Sequence, residues 1–476
     1  MDKSRTSAGE LAAVLRRDLV RYTSDEKLPS SRELVTRYQV SPVTVSRAIA
    51  TLAAEGLVVS RPGAGVFRSG ARRAVPAARD TSWQEVTLSA EPGAAPERAV
   101  DAGGVMATLA HAEPGVIDLN SGYLHPTLQP EQLLAAALSR AARRPGSWSR
   151  PPLEGLTELR AWFARDIAAD LAASDVLIAA GGQSALTTAL RSLAAPGSPV
   201  LVESPTYPGL LAIARAAGLR PVPVPVDADG VRTDLLADAF AVTGARLFVC
   251  QPLFQNPTGA VLSPERRGQV RDIARAAGAF VIEDDFAERL VHADAPALPP
   301  PMAVGDHDGV VVHIRSLTKP TSPSLRVAAL AARGPAFARM RAVQAVDSFF
   351  VPRPLQEAAL ELIAAPGWPR HLRSLAAALQ HRRTTLAAAV EALRPGLLPR
   401  RLPYGGYHLW LRLPDGCDPD ALTAAARREG VAVTPGAPYF TAEPPAPHIR
   451  LSYTHTENLG QLTDGARRLH HALGQP

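Results

Sequence analysis

From about Val116 onward the sequence alternates short β-branched runs with amphipathic helical stretches, and this alternation constrains the fold more than any other feature. PVLVES, RLFVCQP, AFVIEDD, GVVVHI and RVAALAA read as strands, whereas PGLLAIARAAG and PERRGQVRDIARAAG read as helices closed by glycine. Strands separated by helices predict a mainly parallel sheet covered by helices, an α/β architecture. Ligands of such sheets gather beyond the carboxyl ends of the strands, so the residues just after each run are where chemistry is to be sought.

A chain of 476 residues is too long for one ordinary core, so two or three domains are expected. Its two cysteines, Cys250 and Cys417, lie far apart without metal-ligand spacing, which implies neither a disulfide framework nor a metal site and fits a reducing cytoplasm. The first twenty residues scatter charges through their apolar positions and do not read as a signal peptide. No apolar run is long enough for a membrane span, so none is expected.

The charge is uneven. Residues 1–73 carry 13 Lys and Arg against 7 Asp and Glu, while the rest of the chain has 38 of each. A basic excess confined to one end suits a polyanion such as DNA, although a solvated face gives the same count. Helix signals in this region are dense. Ser7 with Glu10 and Ser30 with Glu33 form S-x-x-E capping boxes, the first opening a helix that runs to about Tyr22. Ser41 before Pro42 starts another helix, which Gly56 closes. The short turn at Gln39 and Val40 gives helix-turn-helix spacing. LVVS and GVFRS follow, separated by a turn from Arg61 to Ala64, and read as a two-stranded wing. Val45, Ile49 and Leu52, at helical spacing, are expected in the core.

LPSSREL, VSPVTV and LAAEGL make this segment resemble the GntR-type winged helix over about residues 5 to 70. The resemblance implies DNA contact by Arg32, by Ser41, Thr44 and Ser46 at the start of the recognition helix, by Arg47, and by a wing that Gly63 lets approach the minor groove. Pro42 stands where an arginine commonly follows the serine in that family.

Four motifs sit after strands in the longer part of the chain. AAGGQSALTTAL opens a helix with two glycines, so the amides of Gly182 and Gln183 can face a phosphate. QNPTG offers Asn256 in a tight turn, EDDFAERL ends a strand with adjacent acids, and SLTK supplies an amine at Lys319. The glycine helix start and QNPTG, each taken singly, also read as ordinary turns.

In this order the motifs resemble the fold-type I aminotransferase-like enzymes, which use pyridoxal phosphate, over roughly residues 116 to 470. With the GntR-type head, the chain resembles the MocR-type (GabR-like) regulators. The resemblance implies a winged helix-turn-helix domain over 1–72, a linker over 73–115, and a domain over 116–476 with a large part to about 355 and a small α+β part from about 356. It further implies a Schiff base at Lys319, Asp284 at the pyridine nitrogen, Asn256 at the ring 3-oxygen and Tyr207 stacked on the ring. Phosphate would be held by Gly182, Gln183, Ser316 and Arg326, and an effector carboxylate by Arg450. Tyr123 would close the pocket. Phe286 occupies a position where many members have a tyrosine, and it packs without donating; Trp148 or Arg150 stands where relatives place a tyrosine before a glycine. The function implied is a regulator that binds a double-stranded operator as a homodimer and senses an amino acid or other amine. The alternative is an active aminotransferase with an accessory DNA-binding head.

Overall fold

The computed structural model describes residues 8–23, 25–55, 57–61, 63–69, 100–110 and 113–474. Ser7, Gly56, Pro62 and, within the expected linker, residues 73–99, 111 and 112 lie outside the described residues. The chain divides into two compact units, Met1–Ala95 and Pro96–Pro476.

In the first unit, helices α1 (Ala8–Asp18), α2 (Ser31–Tyr38) and α3 (Pro42–Ala54) precede strands β1 (Val58–Arg61) and β2 (Gly65–Arg68). Both described caps form as expected. The Ser30 hydroxyl accepts from the Glu33 amide at 3.3 Å while the Glu33 carboxylate accepts from the Ser30 amide at 2.6 Å. The Ser41 hydroxyl accepts from the Thr44 amide at 3.1 Å. Gln39 turns the chain between α2 and α3 in the left-handed region, at φ +52°. Val45, Ile49 and Leu52 are buried with Leu11, Leu15 and Leu34. β1 and β2 pair antiparallel as a wing, and β2 bonds on its other side to the strand-like approach to α2, through Leu28 N to Val66 O at 2.8 Å.

The second unit is built on an eight-stranded sheet. Its strands are β4 (Val176–Ala179), β5 (Pro199–Ser204), β6 (Arg220–Asp227), β7 (Gly230–Val231), β8 (Leu247–Cys250), β9 (Phe280–Asp285), β10 (Val311–Ser316) and β11 (Ala328–Ala331), in the spatial order β4-β11-β10-β9-β8-β5-β6-β7. The central strands β10, β9, β8, β5 and β6 are parallel, but β11 runs antiparallel to both its neighbours. A parallel return needs a crossover, usually a helix, and the loop between β10 and β11 contains none.

A smaller antiparallel sheet, β12 (His408–Arg412), β15 (His448–Ser452) and β14 (Thr434–Pro435), is covered by the helices Gly367–Leu393, Pro419–Arg428 and Leu459–Gly474. Non-local packing redraws the expected parts. β3 (Ile117–Asp118) pairs with β13 (Val431–Ala432), and Leu119 is fully buried in the small core, so the chain enters this unit as an edge of the small part. Helix Arg353–Ala364 instead packs on helix Glu131–Ala142 and contributes Ala359 and Leu362 to the large core. Within the stretch expected to be linker, Gly103–Leu109 form a helix.

Candidate functional site

The expected motifs of the large unit converge on one pocket of about 550 Å3 at the carboxyl ends of the parallel strands. β10 ends at Ser316, and the loop after it turns Lys319 inward. The amine donates to the Gly122 carbonyl at 2.7 Å and stands 4.2 Å from the centre of the Tyr123 ring and 5.2 Å from that of Tyr407. Lys319 is half-buried, and the protein packed around its amine, assisted by the charges of Arg450 and Arg326, pulls its pKa down to about 8 against the opposing influence of Tyr123 and Asp284.

Asp284, near the end of β9, is buried on the pocket side, and burial lifts its carboxyl to about 6, with neighbouring Asp285 adding to the shift. The Gln251 side chain donates to it at 2.7 Å. That same amide accepts from the Asn256 backbone at 3.1 Å, and the Gln251 backbone donates to buried Glu203 at 3.0 Å. Gln251 therefore ties the acid to the QNPTG turn, with its donor and acceptor ends distinguished by their partners.

Also at the pocket wall, helix Gly182–Leu193 begins without any side-chain cap, leaving its first amides free of one. Gly181 precedes them at φ +86°, and a Cβ there would stand 2.7 Å from the Arg326 guanidinium. Only glycine permits both that backbone and that approach. Arg326 donates to the Ala180 carbonyl at 2.8 Å, and Ser316 lines the same corner. An uncapped helix start beside an arginine is a ready anion site. Tyr207 lines the pocket and donates to Gln183 at 3.1 Å. Phe286 meets the Tyr407 ring edge-on at 6.1 Å. The buried Thr318 hydroxyl in the lining has no partner among the described residues.

Arg450, on β15, is buried and lies between the rings of Tyr407 and Tyr439, at 5.8 and 5.5 Å. It donates to the Asn120 carbonyl at 2.6 Å and to the Asn256 side chain at 3.3 Å, and its Nε has no partner among the described residues. Trp148 and Arg150 are exposed and do not line the pocket. Gln251, Thr318 and Tyr407 were not anticipated from the sequence. Gln251 directly follows a strand, which is a usable signal; Tyr407 reaches the pocket from the small part and has no such local sign.

In the first unit, Arg32, Ser41, Ser46, Arg47 and Gly63 are exposed and Thr44 is half-buried. The Ser41 and Thr44 hydroxyls lie 2.8 Å apart, and Ser41 also caps α3. Val43 is 62% exposed at the helix start, an apolar surface that was not anticipated. Among the described residues no cluster of His, Cys, Asp and Glu could hold a metal, and no helix is long and apolar enough to cross a membrane.

The fold and pocket define an aminotransferase-like domain joined to a winged helix. Residues 114–465 match the family model of aminotransferase class I and II, and the chain belongs to that family, whose members depend on pyridoxal phosphate. Residues 8–67 match bacterial regulatory proteins of the gntR family, and the combination is of the MocR kind. Similar proteins include 2-aminoadipate transaminase of Thermus thermophilus, 30% identical over 76% of this chain and 90% of that one. The HTH-type transcriptional regulator TauR of Rhodobacter capsulatus is 28% identical over 95% of this chain and 93% of that one. The structure of LysN, the alpha-aminoadipate aminotransferase of Thermus thermophilus, complexed with N-(5'-phosphopyridoxyl)-L-leucine, is 28% identical with a TM-score of 0.73, covering 79% of this chain and 95% of that one.

Proposed function

We propose that this chain is a DNA-binding transcriptional regulator that senses an amino compound through pyridoxal phosphate held covalently on Lys319. The observation that carries the reading is the amine of Lys319 sharing one pocket with the Asp284 carboxylate and an uncapped helix start, in a chain that begins with a winged helix. The donor set suits the cofactor: an amine for its aldehyde, a buried acid with no basic side chain bonded to it among the described residues for its pyridine nitrogen, and an anion cradle at the glycine-rich turn. Bound pyridoxal phosphate supplies an aldehyde that a primary amine can take and a cationic ring that withdraws electrons.

The chain's own residues then divide the work. Asp284, oriented by Gln251, would keep the ring nitrogen protonated; Asn256 would bond the ring oxygen; Tyr207 would cover the ring face; and Phe286 would pack without donating. Gly182, Gln183, Ser316 and Arg326 would hold the phosphate. Arg450 takes the carboxylate of an amino acid effector, and Tyr123 borders the amine. In the head, Arg32, Ser46 and Arg47 face the duplex with Thr44 beside them, Ser41 sets the start of the recognition helix, and Gly63 shapes the wing. A homodimer would present two heads to a pseudo-palindromic site.

Two measurements test this. The full-length protein should shift a duplex from upstream of its own gene with a steep salt dependence, and an amino compound should change that affinity. No shift at low salt sinks the regulatory reading. The relatives that are transaminases favour the second reading, a working aminotransferase, which multiple-turnover release of a keto acid would promote.

The lowered Lys319 pKa adds a pH dependence. The neutral amine attacks the aldehyde, so loading of cofactor onto the cofactor-free chain should rise with pH, roughly tenfold per unit below the pKa, and level off near 8 instead of near an ordinary lysine's value. Stopped-flow absorbance would show this, and a rate still climbing steeply above pH 9 contradicts it.

A further inference from the structure

Three acids stand in a row at the end of β9, Glu283, Asp284 and Asp285, and all three are buried. The register of the parallel neighbour β10 sets His313 opposite Glu283, Ile314 opposite Asp284 and Arg315 opposite Asp285. Basic residues thus face the two outer acids, and an apolar one faces the middle acid. Because side chains alternate along a strand, Glu283 and Asp285 share the face of the sheet away from the pocket that Asp284 lines.

The ion pairs form on that far face. Arg315, itself buried, donates to Asp285 at 2.6 Å and, through its other terminal nitrogen, to the Asp166 carboxylate at 3.0 Å and carbonyl at 2.7 Å. Asp166 is shared with Arg289. His313 Nδ1 lies 2.8 Å from the Glu283 carboxylate and its Nε2 3.6 Å from Asp285, while Arg267 stands 3.6 Å from Glu283. On the pocket side Asp284 accepts from the neutral Gln251 amide, and among the described residues no basic side chain is bonded to it. Lys319 and His313 act on it only through their charges.

Adjacent buried carboxylates oppose each other's ionisation unless a cation offsets one of them. Arginine suits that task, since its charge persists on burial. The influence of Asp285 runs in this direction: burial is the main cause of the raised Asp284 pKa, the Gln251 bond opposes the rise, and Asp285 adds to it. We infer that Arg315 is a positioning residue that offsets Asp285 behind the sheet and so leaves Asp284 able to carry its charge against the ring nitrogen of the cofactor. This rests on the proposed reading that the pocket takes pyridoxal phosphate. Arg315 does not line the pocket; it acts through Asp285.

The experiment measures, by fluorescence titration at neutral pH, the affinity of the full-length protein for pyridoxal phosphate and for its carbocyclic analogue, in which C–H replaces the ring nitrogen. The ratio of the two affinities isolates the contribution of that nitrogen. The wild type should prefer pyridoxal phosphate by at least about tenfold, the worth of a hydrogen bond to a charged group. Arg315→Gln should shrink this preference at least about fivefold, the difference between a charge-assisted and a neutral bond. Asp285→Asn should not shrink it, and combining the two substitutions should restore it to within about twofold of the wild type, because the charge and its offset are then both gone. A purely structural pair would lose alike from either half, since both variants break the same bond. A preference unchanged in Arg315→Gln, reduced alike in both single variants, or not restored in the double variant overturns the inference. If Arg315→Gln does not fold, Asp285→Asn decides: a preference at least equal to that of the wild type supports the inference, and a smaller one overturns it. A wild type that binds both compounds equally also overturns it and leaves the covalent role of Lys319 standing, whereas one that binds neither removes the proposed cofactor as well.

Discussion

Lys319→Ala should abolish the absorbance band near the visible edge that covalently held pyridoxal phosphate gives, while the chain remains folded. The two halves of this expectation have separate causes. The band needs an amine in the pocket, and the amine that lines it together with Asp284 is that of Lys319. Folding does not need that amine, because drawing it out of water is a cost that its hydrogen bond to Gly122 only partly offsets. Thermal unfolding of the cofactor-free variant should therefore occur at or above the wild-type temperature. An unchanged band in the variant would remove the covalent role of Lys319. A lost band together with a collapsed melting transition would show that the residue is structural.

Asp284→Ala should weaken cofactor binding by about two to four powers of ten, because breaking a buried charge pair by removing one partner costs about 3–5 kcal/mol. The carboxylate is buried and accepts a hydrogen bond from the neutral Gln251 amide, so a cationic ring nitrogen would be its counter-charge. Without cofactor the same residue is a liability at neutral pH. Burial raises its folded pKa to about 6, above the ordinary aspartate range, so the folded state holds the proton more tightly and stability falls as pH rises from that ordinary range to about 6. The variant should lack this loss, and cofactor titration by fluorescence together with melting of the cofactor-free chain from pH 4 to 7 would show both effects. A change in affinity below tenfold would leave Asp284 without the assigned role.

Much of the site was legible because its signals are local. The Ser30 and Ser41 caps act over three residues, and a strand followed by a turn places whatever comes next at the sheet's carboxyl edge. Lys319, Asp284, Asn256, Tyr207, Gly182, Gln183, Ser316 and Arg326 could be named on that basis together with the family resemblance, and they meet in one pocket. Phe286 does too, so the expected packing without a donor matches its place beside Tyr407. The antiparallel course of β11 was not legible, since its run of Ala, Val and Leu is equally suited to either direction. Nor was the helix at Gly103–Leu109, whose two opening glycines and alanine-rich surroundings read as linker; its packing against Pro208 and Pro438 outweighs that propensity.

The sequence by itself determined which segments become helices and strands, where the head's helices start, and which residue types stand at the strand ends. Periodicity, capping and turn chemistry operate within a few residues of one another. Only the tertiary structure decided that Lys319 meets Gly122, 197 positions away, and that Arg450 holds Asn120, 330 positions away. Those pairings depend on how two cores pack, and packing is a property of the folded volume that no local window contains.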